Sequence, residues 1–269
     1  IDVAFIGTPA CDEEGNMNGS EGKSAFGAMG YPMIDAIYAN YVVAITDNLV
    51  KYPLHRVSIP EIYVDSVVVV DSLGDPNLIA TGTTRITANP TELLIAEKAA
   101  EVLIGCELIK NGYSFQAGAG GASLAVCKYL RKYMIENNIK GSFVSGGINA
   151  YLLNLFKEGL FESLLDIQTF DGSIANAIGE EKAYIEMSAS MYANPNNASC
   201  VAHKLDMMML SATEIDLNFN VNSLTGSHGL IMGALGGAPD TAAGAKVTLM
   251  TVPSIRKRIP IITDKVTNI

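Results

Sequence analysis

Two glycine-rich loops are the segments of this sequence best suited to bind an anionic group. The first is Gly118-Ala-Gly-Gly121, and the second runs from Gly233 to Lys246. Glycine has no side chain, so backbone amides in such loops can approach a negative ligand closely. We therefore expect a phosphate or a thioester to be contacted by these glycines: Gly118, Gly120, Gly121, Gly236 and Gly237.

The first loop has two other interpretations. It follows a strand-like segment at 113–117 and precedes a helix-like segment at 121–135, and Gly118-x-Gly120-x-x-Ser123 resembles a dinucleotide-binding fingerprint. However, a serine replaces the third glycine, and no acidic residue at the end of a strand follows about 20 residues later. The glycines could also serve only tight packing of a strand against a helix. The presence of a second glycine loop favours ligand binding.

Polar residues alternate with apolar ones between Glu214 and Asn222. In a single strand, this alternation would put the polar side chains on one face. We expect this face, with Asp240 from the second glycine loop, to position a substrate that carries several oxygen atoms. The alternatives are a solvent-exposed strand face and, for Asp240, a turn cap. The expected positioning residues are Glu214, Asp216, Asn220, Asn222 and Asp240.

Other patterns of catalytic or metal-binding residues are weak. The three histidines have no HxxxH or HExxH spacing, and no serine lies in a GxSxG motif. We therefore expect no metal ion. Arg256-Lys257-Arg258 is the densest basic cluster, and it is more typical of a solvated loop than of a ligand clamp.

Composition excludes several classes of partner. The net charge of −10 opposes binding to nucleic acid or to an acidic membrane surface, and an anionic substrate would need local cations. No apolar run approaches the ~20 residues of a membrane span. The four cysteines form no CxxC pair and are expected to be free thiols in the cytoplasm.

Short β-branched runs alternate with helix-like segments, which predicts an α/β fold with mostly parallel sheets covered on both faces. Strands are expected at 2–6, 41–46, 66–71, 113–117, 142–145, 164–169, 205–211 and 246–252. Helices are expected at 32–40, 90–110, 121–135 and 149–157. A weakly patterned polar stretch before Asn89-Pro90 divides the chain into two domains, 1–86 and 87–269. The two successive blocks could be related domains.

The chain resembles the citrate lyase α-chain family over essentially all of its 269 residues. More distantly, it is similar to acetate- and hydroxybutyrate-type CoA-transferases, whose active site lies between two α/β domains. The resemblance rests on these segments: Ala4-Phe-Ile-Gly-Thr-Pro-Ala-Cys-Asp-Glu-Glu-Gly-Asn16, Val43-Ala-Ile-Thr-Asp47, Phe115-Gln-Ala-Gly-Ala-Gly-Gly-Ala-Ser-Leu-Ala125, Tyr192-Ala-Asn-Pro195, Ser211-Ala-Thr-Glu-Ile-Asp216, Asp240-Thr-Ala-Ala-Gly-Ala-Lys246 and Arg258-Ile-Pro260.

The resemblance implies a citrate CoA-transferase subunit of a hetero-oligomeric lyase. Citrate would displace acetate from the CoA-like (phosphoribosyl-dephospho-CoA) thioester of the acyl carrier γ subunit, and the β subunit would cleave the citryl product. Acetyl-CoA could act as a surrogate, and no tightly bound cofactor is expected. Two alternatives stay open: transfer to another short hydroxy acid such as citramalate, and a non-catalytic assembly role.

The chain departs from the pattern of related CoA-transferases at three points. Many of them carry a glutamate that forms an enzyme–CoA ester, and that position falls on or beside Gly146. We therefore expect direct transfer through a citric–acetic anhydride, with no covalent nucleophile on this chain. Where the family usually has Gly-Gly-His, this chain has Gly236-Gly-Ala-Pro239. Family members are also longer, so the first domain is expected to be incomplete and the final segment to be lacking.

Overall fold

Strands and helices alternate along most of the chain. The computed structural model describes residues 1–79, 86–118, 121–226, 229–231, 233–256 and 259–267. The strands are β1 (Val3–Thr8), β2 (Ala10–Asp12), β3 (Met17–Asn18), β4 (Tyr41–Thr46), β5 (Leu49–Val50), β6 (Ser66–Val69), β7 (Ser114–Ala117), β8 (Gly141–Gly146), β9 (Phe161–Asp166), β10 (Tyr184–Glu186), β11 (Met207–Leu210), β12 (Glu214–Asp216), β13 (Val221–Asn222), β14 (Val247–Met250), β15 (Ile255–Arg256), β16 (Ile259–Pro260) and β17 (Ile262–Thr263). The helices are α1 (Gly30–Tyr38), α2 (Pro90–Gly105), α3 (Gly121–Glu136), α4 (Ala150–Lys157), α5 (Ala177–Glu180), α6 (Ala189–Ala193) and α7 (Ala238–Gly244).

The largest sheet has six parallel strands in the order β10-β9-β8-β7-β11-β14. Strand order reverses between β7 and β11, and in open parallel sheets ligands bind beyond the carboxyl ends of the strands at such a point. The prediction of a mostly parallel α/β fold is confirmed. The strand expected at 164–169 is shifted, because β9 spans Phe161–Asp166.

A second parallel sheet has three strands in the order β1-β4-β6. Exposure alternates along β1, where Phe5 is 71% exposed while the next residue, Ile6, is buried. The expectation that these strands are covered on both faces is therefore wrong for β1 in the described part of the chain. The buried side of β1 packs with Met29, which directly precedes α1, and with Ala36 in the second half of α1.

Two small sheets share one design. β2 pairs antiparallel with β3 and parallel with β5, and β12 pairs antiparallel with β13 and parallel with β17. The expectation of one continuous strand from Glu214 to Asn222 is wrong. Asp216 accepts hydrogen bonds from the backbone of Asn218 and of Asn220, which turns the chain back on itself and pairs Glu214 with Asn222.

The longest helices cover the six-stranded sheet. α2 begins where the sequence predicts, because the Asn89 side chain accepts hydrogen bonds from the Thr91 and Glu92 amides and Pro90 occupies the first turn. It ends at Gly105 rather than at residue 110. No helix in the described ranges combines the length and the apolarity needed to cross a bilayer. The proposed boundary at residue 86 stays a prediction.

Candidate functional site

The first glycine loop leaves the carboxyl end of β7, at the point where strand order reverses. A β-carbon on Gly118 would lie 2.9 Å from the Met209 carbonyl oxygen of β11, so the close approach of the two backbones requires glycine here. Gly120 lies outside the described residues. Gly121 starts α3, and its carbonyl oxygen accepts a hydrogen bond from the Thr87 amide at 3.3 Å. Thr87 therefore packs over one side of this loop.

The second glycine loop reaches the same edge of the sheet at the start of α7. Gly236 has φ +51°, a conformation that favours glycine. A β-carbon on Gly237 would lie 2.8 Å from the β-carbon of Ala193 and closer still to the Tyr192 ring. Both glycines, with Asp240, line a cavity of about 310 Å³ between α1, α6 and α7.

Gln116 connects the two loops. It lies on β7, two residues before Gly118, and is almost fully buried. Its Nε2 donates to the Tyr192 hydroxyl at 2.9 Å and to Thr241 Oγ1 at 3.3 Å. Thr241 lies on α7 and donates to the Gly237 carbonyl oxygen at 3.0 Å, while Tyr192 packs on Gly237. One buried polar network thus joins the strand before the first loop to the second loop.

Asp216 binds the backbone of its own β12–β13 hairpin. Asp216 accepts hydrogen bonds from the Asn218, Asn220 and Val266 amides and from Asn220 Nδ2. The bond from the Asn220 side chain is the largest cause that lowers the pKa of Asp216, to about 2. These contacts occupy Asp216 and the Asn220 amide nitrogen in shaping the turn. Glu214 is buried beside them.

Asn222 and its neighbours line a second, larger cavity of about 510 Å³ beyond the carboxyl ends of β11 and β14. Leu210, Phe219 and Pro239 contribute to its mostly apolar wall. The Asn222 side-chain oxygen accepts from the backbone of the residues that follow it. The described lining of both cavities contains no lysine, arginine or histidine, so the expected local cations are not found there. Among the described residues, no group of His, Cys, Asp and Glu is arranged to hold a metal ion.

Gly146, at the carboxyl end of β8, lies beside Gln116. It has φ +106°, and a β-carbon there would lie 3.3 Å from Gln116 Cγ. The Gln116 side chain therefore fills the space that a side chain at position 146 would enter. Ser145 donates to Gln116 Oε1 at 3.3 Å from the same strand.

Asp166, at the carboxyl end of β9, was not expected to matter. Its carboxyl group is fully buried and accepts hydrogen bonds from Thr169, Tyr184 and the Ile148 and Gln168 amides. Burial is the largest cause acting on it and raises its pKa to about 7. Sequence reasoning also missed Gln116 and Tyr192 as individual residues, although both lie in segments that carry the family resemblance.

Comparisons with known proteins agree on one family. The family model "Citrate lyase, alpha subunit (CitF)" matches residues 1–269. The citrate lyase alpha chain of Klebsiella pneumoniae is 47% identical over 266 residues, which cover 99% of this chain and 52% of that protein. An alpha subunit of citrate lyase from Streptococcus mutans, solved in complex with citrate, is 50% identical with a TM-score of 0.94, over 99% of this chain and 52% of that one.

A more distant match concerns the fold alone. A 4-hydroxybutyrate CoA-transferase from Porphyromonas gingivalis is 17% identical with a TM-score of 0.60, over 99% of this chain and 62% of that one. The CoA-transferase-like fold expected from the sequence is thereby confirmed. The chain spans about half the length of the curated relatives it matches.

Proposed function

Since the chain belongs to the citrate lyase alpha-subunit family, we propose that it carries the acyl-exchange site of a citrate CoA-transferase. In this reaction, acetyl carrier thioester and citrate give citryl carrier thioester and acetate. The lyase β subunit and the acyl carrier γ subunit would be its partners, and the CoA-like group of the carrier would be its thioester substrate. The single observation that carries the proposal is the convergence of the two glycine loops on Gln116.

The chemistry requires one site that holds two acyl groups and stabilises the oxyanion formed at the thioester carbonyl. Backbone amides can do this without a cation. The described cavity linings offer hydroxyl, amide and backbone groups that would serve as such donors. We propose that Gly118, Gly120, Gly121, Gly236 and Gly237 serve as these donors.

We propose that polar side chains at the same edge of the sheet position citrate. Asp240 lines the 310 Å³ cavity and Asn222 lines the 510 Å³ cavity, so both are exposed to a bound ligand. Asp216 and Asn220 would act indirectly, because their side chains hold the hairpin that carries Asn222. Glu214 pairs in register with Asn222 in that hairpin.

Direct transfer is the mechanism that Gly146 favours. A citrate carboxylate would attack the acetyl thioester carbonyl, the thiolate would leave, and a citric–acetic anhydride would form. The thiolate would then attack the citryl carbonyl of the anhydride and release acetate. No carboxylate is available at position 146 to take the acyl group first, and the Gln116 amide beside it is not a nucleophile of comparable strength.

The test is acetate release from acetylated carrier protein on addition of citrate, measured with the chain assembled with its lyase and carrier partners. Citrate-dependent release at catalytic rates is the expected result, and release with citramalate but not citrate would redefine the substrate. Absence of release with either acid would favour an assembly role. Trapping a glutamyl–CoA adduct on this chain with hydroxylamine or borohydride would exclude the direct mechanism.

A further inference from the structure

Glu186 connects the six-stranded sheet to the first part of the chain. It is the last residue of β10, and its side chain is only 8% exposed. Its Oε1 accepts a hydrogen bond from the Met29 amide at 2.6 Å, and its Oε2 accepts one from Ser58 Oγ at 2.6 Å. The Arg56 guanidinium lies 3.9 Å from Oε2. All three partners lie in the first 58 residues of the chain, whereas Glu186 ends a strand of the six-stranded sheet. This carboxylate therefore joins two parts of the molecule.

The Met29 amide is the first one at the start of α1, and α1 lacks a cap of its own. The Met29 side chain makes no capping hydrogen bond, and the first turn contains no acidic residue. The amino end of a helix carries unsatisfied N–H groups and a partial positive charge, which a carboxylate stabilises. Glu186 therefore supplies from another element what the local sequence of α1 does not provide.

Two further contacts fix the same helix end. The Gly30 amide donates to the Ile167 carbonyl oxygen at 3.2 Å, and the Ala28 amide donates to Thr169 Oγ1 at 3.0 Å. A β-carbon on Gly30 would collide with the Met187 and Ile167 carbonyl oxygens. The start of α1 is thus held against the carboxyl ends of β9 and β10 by bonds to three consecutive amides.

Tyr31 follows directly and reaches the second glycine loop. A β-carbon built on Gly236 would lie 3.0 Å from the Tyr31 hydroxyl oxygen, and Tyr31 lines the 310 Å³ cavity together with Asp240. Burial raises the pKa of Tyr31, and a hydrogen bond from the Gly237 backbone opposes that rise. The orientation of α1 therefore decides where this hydroxyl lies relative to the loop.

We infer that Glu186 is a positioning residue for the proposed acyl exchange, because it holds the start of α1 so that the Tyr31 hydroxyl lies against the Gly236–Gly237 loop. The inference rests on the proposed function. Glu186 is not part of the described lining of either cavity, so its effect on the reaction passes through Tyr31.

A double-mutant cycle tests this in the enzyme assembled with its lyase and carrier partners. Glu186→Gln keeps the size of the side chain but replaces one acceptor oxygen with a donor, and Tyr31→Phe removes only the hydroxyl. Each change should lower kcat for citrate-dependent acetate release by between about 10- and 100-fold with a smaller change in KM for citrate. The double variant should be no slower than the slower single variant. Glu162→Gln, at an exposed position of the neighbouring strand β9, is the matched control and should keep wild-type kinetics.

Hydrogen–deuterium exchange tests whether Glu186 holds the start of α1 in place, independently of the rate of the reaction. Glu186→Gln should accelerate exchange at the amides of residues 28–31, whereas Glu162→Gln should not. Additive losses of kcat, or unchanged exchange at these amides in an active enzyme, would overturn the positioning role while the proposed function stood. If the wild-type enzyme released no acetate at all, the proposed function would fail first and take the positioning role with it.

Discussion

Asp12 and Asp216 make the same four hydrogen bonds in two different parts of the chain. Each accepts from the amide two residues later, from the amide four residues later, and from the Nδ2 of the asparagine at that fourth position. Each also accepts one distant amide, from Leu54 and Val266 respectively. The strands around them pair identically. The same turn and strand pairing thus occurs twice in the chain, and the relation of the two blocks as domains stays a prediction.

These turns predict matched effects of Asp12→Asn and Asp216→Asn. The new amide nitrogen would face N–H donors, so each variant loses acceptors for buried amides and should unfold at a temperature lower by roughly 2–12 °C. Thermal unfolding followed by circular dichroism measures this. An effect at only one of the two positions would contradict the equivalence.

The pH dependence of the Asp216 contribution follows from its lowered pKa. A carboxyl group whose pKa is lowered from its ordinary value of 3.8 to about 2 in the folded chain stabilises the fold above pH 3.8 and loses this contribution as the pH falls toward 2. The difference in stability between wild type and Asp216→Asn should therefore shrink in acid. A difference that stays constant from pH 6 to pH 2.5 would contradict this assignment.

Gln116→Leu should break the hydrogen-bonded link between the two glycine loops. The size of the buried side chain stays nearly the same. The Tyr192 hydroxyl, Thr241 and Ser145 each lose a partner, at a cost of about 1–3 kcal/mol in the free energy of unfolding. Citrate-dependent acetate release should fall at least about tenfold. Gln168→Leu at an exposed position is the control. Full activity of Gln116→Leu would remove the network from the site.

Gly237→Ala and Gly105→Ala form a matched pair. The added methyl group on residue 237 would overlap the Tyr192 ring and Ala193, so the loop must shift and activity should be lost. At Gly105 a β-carbon meets nothing within 4 Å. Alanine there should be neutral or should stabilise α2 by up to about 1 kcal/mol. Urea unfolding and acetate release together distinguish the two outcomes.

The contribution of Asp166 to stability should depend on pH with a sign opposite to that of Asp216. Burial raises its pKa from 3.8 to about 7, so between these values the folded chain binds a proton that the unfolded chain does not. Its contribution to stability is complete below pH 3.8 and is lost as the pH rises through 7, with a slope of up to about 1.4 kcal/mol per pH unit.

Urea unfolding of wild type and Asp166→Asn across pH 4.5 to 7.5 measures this slope. Asparagine stays neutral, so the stability of the variant relative to wild type should rise with pH. Asp35→Asn, at an exposed position of α1, should leave the slope unchanged. Parallel profiles for wild type and Asp166→Asn would show that Asp166 does not titrate in this range.

The fold was largely predictable because its strands and helices carry strong local signals. β-branched runs marked the parallel strands, and Asn89-Pro90 marked the start of α2 through cap chemistry that acts within a few residues. The error at 214–222 arose because alternation of polar residues also occurs in a tight hairpin whose turn is closed by side chains. Strand alternation alone does not distinguish the two.

The candidate site was less predictable because its members meet only through tertiary structure. The glycine loops could be recognised by composition, but Gln116 gains its place between them from the packing of β7, α6 and α7. Glu186 carries no signal at all in its local sequence. Its partners Met29 and Ser58 are more than a hundred residues away, and only the folded chain brings them together.

Gly146 carries a hydrogen atom in place of a side chain. This bears on the order in which substrates bind and products leave in the proposed reaction. An enzyme that stores an acyl unit on itself can release its first product before the second substrate arrives. Under the proposed direct transfer, nothing at this position stores the acyl unit, and donor and acceptor would occupy the pocket simultaneously. Double-reciprocal plots at several fixed concentrations of the second substrate should then intersect, whereas parallel lines would require a storage group elsewhere on the chain.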